Sequence, residues 1–231
     1  MALLCTRKYY FKMCGRYTLH AQKKQLAKSI GLTLPDDYEP DYNISPGKNA
    51  LSIASKDKNF VVASIMNWGL RTPQNFHINA RIESVNTNPR FRESWQEHRC
   101  LLPSNGFYEW YQDGVSKKPY CIYEQGETLQ FYAGIYFPNK ENNQISSFVV
   151  LTTQAQAPVS RIHKRMPVII REDTHSSWLS GEINKSDLQA ISKDINLSSH
   201  TISSRVNRVQ NNDMSLIQAT SDLSDEQMML F

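Results

Sequence analysis

Six apolar segments of strand length follow one another between Cys100 and Ile170, and short turn-forming stretches separate them. β-Branched and aromatic residues are frequent in these segments, as is typical of buried strands. The Asp113-Gly114 pair and the Asn-rich stretch 139–143 favour turns between neighbouring segments. We therefore predict one α+β domain, in which mixed and antiparallel β-sheets curl into an open barrel-like core flanked by short helices. The six segments are 100–102, 107–111, 119–124, 129–137, 147–153 and 167–170.

Short helices are predicted on both sides of this block. A helix over 19–31 has its apolar residues on one face and Gly31 at its end, and Asn88-Pro89 is a typical helix start. Further helices are predicted at 174–179 and 186–194, and further strands at 51–54, 60–68 and 200–206. No repeat or linker divides the body. We predict an N-terminal extension over 1–13 that is absent or removed in the mature protein, a domain over 14–210 and a polar acidic tail over 211–231.

The composition excludes several classes of protein. No apolar run reaches the roughly 18–20 residues of a membrane span, and the first twelve residues lack the apolar core of a secretory signal. The four cysteines have no CxxC spacing, so we expect reduced thiols, no metal and a cytoplasmic location. The net charge is +4, and because no Lys or Arg follows Arg208, the body is more basic than the whole chain. A basic body suits a polyanionic partner.

Polar side chains interrupt the apolar pattern at five places, and burying them costs free energy unless they are paired or used. The five stretches are MCGRY at 13–17, NARIE at 79–83, FYEW at 107–110, LTT at 151–153 and IHKRMP at 162–167. Each has a simpler explanation: Glu109 could form a structural salt bridge with Arg81 or Arg16, His163 could be a core or turn histidine, and Cys14 a small buried hydrophobe. A Cys/His/Glu set is also typical of a papain-type protease.

The ordered motifs resemble the SRAP family, the SOS response-associated peptidases, over about residues 13–210. They are MCGRY, YNISPG, WGL, NARIE, RCLLPSNGFYEW, LTT, IHKRMPVII and SRVNRV. The resemblance implies an abasic site processing protein that binds single-stranded DNA and forms a covalent thiazolidine crosslink with the ring-opened abasic site, shielding the lesion in the SOS response. It also implies an associated autopeptidase and lyase-like activity, no cofactor, and association of a monomer with the nucleoid on damaged DNA.

In this family the initiator Met of the MCGRY motif is removed. Here that residue is Met13, so Cys14 would carry a free α-amine with a pKa of roughly 7.7–8.0. The amine would add to the sugar aldehyde to give an imine, and the thiol of the same residue would close the five-membered thiazolidine. Only an N-terminal Cys offers an amine and a thiol on adjacent carbons.

The resemblance assigns roles to further residues. Asn79 would orient the amine and the aldehyde oxygen. Glu109, desolvated by its aromatic neighbours, would have a raised pKa and shuttle protons, and His163 would assist ring opening and the reverse reaction. Arg16 and Arg81 would hold the flanking phosphates. The predicted pocket and DNA surface add Asn43, Pro46, Trp68 and Thr152, with Trp68 either stacking on DNA or packing in the core.

Two departures from the family pattern concern the N-terminus and the region after WGL. Residues 1–12 precede the usual start, so either translation begins at Met13 or a cleavage exposes Cys14, and Glu109 with His163 could promote a self-cleavage. The family often has a second Trp shortly after WGL, which is missing here, and Phe76 is the candidate to replace it in stacking.

The chain ends in a peptide that resembles the clamp-binding peptide of bacterial repair proteins. Gln227, Leu230 and Phe231 would dock on the sliding clamp, or the apolar end would pack on its own domain. Two other functions stay open. A cysteine peptidase acting on other proteins would work with the extension attached, and a non-covalent single-strand binding module would tolerate Cys14→Ser.

Overall fold

The computed structural model describes residues 14–57, 60–114, 116–126, 129–139 and 146–220. The predicted extension over 1–13 and the clamp-like peptide over 227–231 lie outside the described residues. The strands are β1 (Tyr17–Leu19), β2 (Asp41–Ile44), β3 (Asn49–Asp57), β4 (Phe60–Trp68), β5 (Leu70–Arg71), β6 (Phe76–His77), β7 (Asn79–Arg81), β8 (Arg99–Ser104), β9 (Gly106–Asp113), β10 (Ser116–Glu124), β11 (Gln130–Phe137), β12 (Ser147–Gln154), β13 (Arg165–Pro167), β14 (Ile169–Ile170) and β15 (Leu197–Thr201). The helices are α1 (Lys23–Ile30), α2 (Arg92–Glu97), α3 (His175–Leu179) and α4 (Lys185–Lys193).

Two sheets form the scaffold. The smaller sheet has the strand order β15-β10-β9-β1-β2 and is antiparallel throughout. The larger sheet has the order β13-β12-β4-β3-β8-β11-β14, and a further pairing between β11 and β12 closes five of its strands into a ring. Strands β4 and β7 both run parallel to β12, so this sheet is mixed. The predicted α+β class with curled sheets is confirmed, and the β11–β12 pairing is what closes the curl.

Alternate residues of the central strands face two different cores, as the period of a strand requires. On β12, Phe148 and Val150 pack into the cluster between the two sheets, whereas Val149 and Leu151 pack into the cluster that α2, α3 and α4 cover. A smaller cluster lies on the outer face of the smaller sheet, beneath the segment 202–217. This segment forms one wall of the cleft described below.

Several predicted boundaries were wrong. Helix α1 begins at Lys23 instead of 19, because Leu19 belongs to β1 and is buried there, although Gly31 does end the helix with a left-handed φ of 67°. Helix α2 begins at Arg92, beyond the Asn88-Pro89 signal. The strand predicted over 200–206 ends at Thr201, and a 3₁₀ turn follows. Within the described residues, no helix has the length and apolar character needed to cross a membrane.

Arg99 is buried at the start of β8 between two indole rings. Its guanidinium carbon lies 4.5 Å from the ring centroid of Trp95 and 4.6 Å from that of Trp178. Its Nε donates to the Trp95 carbonyl at 2.9 Å and its Nη1 donates to the Ile183 carbonyl at 2.8 Å. Burial lowers the pKa of Arg99 to about 10, and no carboxylate in the described ranges forms an ion pair with it. Arg99 therefore joins α2, β8 and the end of α3 through main-chain acceptors and ring faces.

We expect Arg99→Lys to lower the free energy of unfolding by about 2–4 kcal/mol, because an ammonium group cannot reproduce the planar fork or its stacking between the rings. Urea denaturation measures this change. Arg92→Lys on the exposed face of α2 is the matched control and should leave the midpoint unchanged. Equal midpoints for both variants would contradict the structural role of Arg99.

Candidate active site

The pairing of β1 with β9 brings Cys14 to Glu109. Tyr17 lies opposite Phe107, and the amide of Tyr108 donates to the Arg16 carbonyl at 3.0 Å. Continued toward the N-terminus, this antiparallel register places Cys14 beside Glu109. The main-chain nitrogen of Cys14 donates to Glu109 Oε1 at 2.7 Å.

His163 reaches the same carboxylate from the loop before β13. Its Nδ1 lies 3.8 Å from Glu109 Oε1, and the Sγ of Cys14 lies 3.8 Å from the carbonyl oxygen of Arg165, two residues further on. Cys14, Glu109 and His163 therefore meet in one network. The alternative of a structural salt bridge between Glu109 and an arginine is wrong for the described residues, because Arg16 bonds elsewhere and the basic side chain beside the Glu109 carboxyl is that of His163.

Burial sets the protonation of this network. Glu109 is only 4% exposed, and desolvation raises the pKa of its carboxyl above the ordinary value, while His163 and the amide of Cys14 oppose the rise. Burial also raises the pKa of the Cys14 thiol well above its usual range, and the Glu109 charge adds to this effect. The thiol is therefore protonated at rest, beside a carboxyl group with increased proton affinity.

Cys14 has an unusual backbone conformation. Its φ is 46°, in the left-handed region that costs an L-residue roughly 1–2 kcal/mol. Because φ is defined by the carbonyl carbon of the preceding residue, this strain exists only while residue 13 is attached. Strain of this kind is concentrated at functional sites.

A cleft of about 610 Å³ opens above Glu109 and His163. Three cationic side chains, those of Arg16, Lys117 and Lys164, contribute to its walls. Gly15 also lines it, so that the cleft begins directly beside the buried Cys14. The cleft therefore offers an anion a positive wall next to a thiol, a carboxyl and an imidazole.

Trp110 stands in the wall of this cleft between two of the cations. The Arg16 guanidinium lies 6.0 Å from its ring centroid, and Lys117 Nζ lies 5.1 Å from it. Its Nε1 donates to Asn207 Oδ1 at 2.8 Å, which fixes the ring against the segment 202–217. A fixed, partly exposed indole with flanking cations is a typical surface for nucleic-acid bases and phosphates.

Arg16 is held by neutral acceptors, so its charge remains available to the cleft. Its Nη1 donates to Asn43 Oδ1 at 2.6 Å and to the Val206 carbonyl at 2.7 Å. Asn43, which the sequence analysis placed at the pocket and DNA surface, is fully buried, and its Nδ2 donates to the carbonyls of Arg208 and Asn211. Asn43 instead ties the segment 206–211 to Arg16.

Trp68 and Thr152, two further residues predicted at the pocket and DNA surface, are also buried, and for Trp68 this agrees with the alternative of a core role. Trp68 is 1% exposed, and its Nε1 donates to the Ile78 carbonyl while its ring packs on Tyr17, so no face is open to a base. Thr152 is fully buried and receives hydrogen bonds from the Arg165 guanidinium at both its carbonyl and its hydroxyl oxygen. Both residues support the site from within the core.

Asn79, Arg81 and Pro46 lie outside the lining of the cleft. Asn79 and Arg81 begin and end β7, opposite Val150 and Thr152 of β12. Pro46 is half-buried in the turn after β2. Their proposed contacts with the amine, the aldehyde and the DNA stay predictions.

Sequence reasoning missed Lys117 and Arg165 as parts of the site. The Asp113-Gly114 turn was a usable signal for Lys117. A hairpin at this turn pairs Lys117 with Gln112, and the Lys117 side chain then lies over the Trp110 ring. No local signal distinguishes Arg165 from the neighbouring basic residues of its motif. Among the described residues, no group of three or more His, Cys, Asp or Glu side chains converges to hold a metal ion.

Comparisons with known proteins agree with the sequence motifs. A family model described as SOS response associated peptidase (SRAP) matches residues 13–209. The chain is 31% identical over 225 residues to abasic site processing protein YoqW of Bacillus subtilis, covering 90% of this chain and 100% of that protein. It is 27% identical to abasic site processing protein YedK of Escherichia coli, covering 89% and 99% of the two chains. A crystal structure from Bacteroides thetaiotaomicron has the same fold, with a TM-score of 0.76 at 22% identity over 90% of this chain and 100% of that one.

Proposed function

The chain belongs to the SOS response associated peptidase (SRAP) family, and we propose that it processes abasic sites in single-stranded DNA by forming a thiazolidine crosslink through Cys14. The names of its relatives support the abasic-site part of this proposal. The observation that carries the finer part is the 2.7 Å contact between the Cys14 nitrogen and Glu109 Oε1, at the base of a cationic cleft.

The first step is the addition of the amine to the aldehyde. With Cys14 as the N-terminal residue, the nitrogen held by Glu109 is an α-amine, and the carboxylate accepts a proton from it to leave the neutral nucleophile. This nitrogen forms a bond to C1′ of the ring-opened sugar as the carbonyl π bond breaks, and a proton lost by the nitrogen converts the aldehyde oxygen into a hydroxyl. Glu109, whose pKa burial raises, then donates a proton to that hydroxyl as it leaves as water and the imine forms.

The second step closes the ring. The Cys14 sulfur attacks the imine carbon, the thiol proton passes to the imine nitrogen through Glu109 or His163, and a secondary amine results. The whole reaction consumes an aminothiol and an aldehyde and releases one water. The raised thiol pKa delays sulfur attack until the imine offers a strong electrophile, which gives the order of the two bonds.

The cleft walls hold the strand around the lesion. Arg16, Lys117 and Lys164 are placed to bind phosphates, which supply affinity that does not depend on sequence. Trp110 would stack on the base next to the abasic sugar, because the base missing from the lesion leaves room for the indole ring. We assign to Trp110 the stacking role that the sequence suggested for Trp68 or Phe76.

The proposal is tested by comparing the full chain with a chain that begins at Cys14, both with their N-termini verified by mass. Each is incubated with a single-stranded oligonucleotide that contains one abasic site and is then analysed under denaturing conditions. We expect a stable adduct from the chain that begins at Cys14, and none from a full chain that retains residues 1–13. Equal adduct formation by both chains would refute the crosslink, because an amide nitrogen cannot form an imine.

A second activity, self-cleavage of the 13–14 bond, is favoured by the strained φ of Cys14. The Cys14 sulfur would attack the carbonyl carbon of residue 13 while the thiol proton passes to Glu109, and the nitrogen released from the 13–14 bond would take up that proton. Water would then hydrolyse the thioester to the carboxylic acid of residue 13 and a Cys14 with free amine and thiol. Cleavage would also remove the backbone strain. Mass spectrometry of the incubated full chain tests this: loss of residues 1–13 supports it, and a mass that stays unchanged excludes it.

A further inference from the structure

The main chain of Arg165 contacts two residues of the candidate active site. Its amide nitrogen and its carbonyl oxygen both lie 3.1 Å from His163 Nδ1. The same carbonyl oxygen lies 3.8 Å from the Cys14 Sγ. The position of this one stretch of main chain therefore affects both the nucleophile and the imidazole.

These contacts give His163 Nδ1 a partner in either protonation state. An unprotonated Nδ1 accepts a hydrogen bond from the Arg165 amide, and a protonated Nδ1 donates one to the Arg165 carbonyl, with Glu109 Oε1 3.8 Å away. A proton can thus be gained or lost at Nδ1 without leaving a half-buried ring nitrogen unsatisfied, which would cost free energy. An imidazole that takes up and releases protons needs such a pair of partners.

The side chain of Arg165 fixes this main chain in place. Its two terminal nitrogens form a bidentate pair with the carboxylate of Glu83, in which Nη2 lies 2.8 Å from Oε2. Nη2 also donates to the carbonyl and hydroxyl oxygens of Thr152. Bidentate pairs of this kind combine strong charge-assisted bonds with a defined geometry.

Glu83 lies outside the cleft and is suited to anchor Arg165. Its side chain is 42% exposed, whereas that of Arg165 is 13% exposed. Partial burial acts to raise the pKa of Glu83, but the hydrogen bond and charge of Arg165, with a contribution from Arg81, hold that pKa below its ordinary value. The Glu83 carbonyl accepts a hydrogen bond from Lys185 at 3.2 Å, which adds a tie to α4.

We propose that Glu83 is a positioning residue for the crosslinking reaction, which fixes the Arg165 main chain and through it the hydrogen bonds of His163 and Cys14. This inference rests on the proposed function, because it assigns His163 a proton-transfer role in that reaction. The terminal nitrogens of Arg165 are engaged by Glu83 and Thr152, so its side chain acts as a brace for its own main chain.

The first test uses nuclear magnetic resonance on the full chain and needs no DNA. The variants Glu83→Gln and Glu83→Asp are compared with the control Asp194→Asn. This control also removes the carboxylate of an ion pair with an arginine, but the pair, Asp194 with Arg171, is exposed. We expect the ¹⁵N resonance of His163 Nδ1 and the amide proton of Arg165 to shift in both Glu83 variants and to stay unchanged in Asp194→Asn. Unchanged resonances in a folded Glu83→Asp variant would overturn the proposal, and this milder variant decides the matter if Glu83→Gln does not fold.

The second test measures crosslinking by chains that begin at Cys14. We expect Glu83→Gln to slow adduct formation about 10-fold, since a displacement of about 1 Å can cost up to ~10²-fold in rate. Its dissociation constant for single-stranded DNA should stay within about twofold, because no phosphate contact is lost. An unchanged rate with tighter DNA binding would show that Glu83 only withholds Arg165 from DNA, and would refute the positioning role of Glu83. If the wild type forms no adduct, the proposed function fails, whereas the resonance test still decides the role of Glu83.

Discussion

A Cys14→Ser chain that begins at residue 14 is expected to form no denaturant-stable adduct with abasic DNA, while borohydride still traps it on the same DNA. The serine retains the α-amine that Glu109 holds at 2.7 Å, so the imine still forms and can be reduced. The hydroxyl is a much weaker nucleophile than sulfur, so the ring does not close and the unreduced imine hydrolyses. Denaturing electrophoresis with and without borohydride measures both adducts.

Cys121→Ser is the matched control, because Cys121 is a buried free thiol on β10 outside the cleft lining. It should give the stable adduct of the wild type. A stable adduct from Cys14→Ser at the wild-type level would show that sulfur is not required and would remove the thiazolidine. Failure of Cys14→Ser to form even the borohydride-trapped adduct would contradict imine formation that needs only the α-amine of residue 14.

Glu109→Gln is expected to lower the rate constant of adduct formation by ~10²–10⁴, the range that general acid–base catalysis typically supplies. A glutamine oxygen can still accept the hydrogen bond from the Cys14 nitrogen, so the amine stays in place, but it can neither take nor give a proton. Single-turnover kinetics with excess protein isolates this step. An unchanged rate constant would exclude Glu109 as the proton carrier.

The same substitution should stabilise the fold at high pH. Burial raises the pKa of Glu109 in the folded state, so the folded protein binds this proton more tightly than the unfolded chain does. The stability gained from that proton is complete below the unfolded pKa and is lost as the pH rises through the folded pKa. Glutamine carries no such dependence. The urea midpoint of Glu109→Gln should exceed that of the wild type near pH 8 and approach it as the pH falls toward about 4. A midpoint difference independent of pH would contradict the raised pKa.

Strands with a regular apolar pattern could be predicted from the sequence, and their pairing could not. The segments around Val149 and Phe148 were identified because alternate residues face two apolar cores, so that the whole strand is hydrophobic. Strand β1 was not predicted, and its last residue, Leu19, was assigned to the following helix, because three residues are too few to show a period. The parallel pairing of β7 with β12 joins segments about 70 residues apart, and no local pattern specifies such a contact.

The central residues of the candidate site could be predicted from the sequence, whereas the partners of its buried polar residues could not. Cys14, Glu109 and His163 lie in motifs with unusual residue types, and the structure brings all three together. Asn43 and Thr152 were placed at the pocket and DNA surface by the resemblance to the family, because a matching motif indicates a role without indicating the partner of each side chain. Their partners proved to be main-chain carbonyls and an arginine inside the protein. Only the three-dimensional structure distinguishes these two uses of a buried polar group.

The tie between Asn43, Arg16 and the segment 206–211 has a consequence for biosynthesis. Cys14 emerges from the ribosome early. Val206 and Asn207, which hold Arg16 and Trp110 in place, are synthesised roughly 190 residues later. The cleft wall therefore cannot assemble on a nascent chain. Under the proposed mechanism, an aminothiol exposed during translation lacks these walls, so we expect its full reactivity toward an abasic site only in the completed polypeptide.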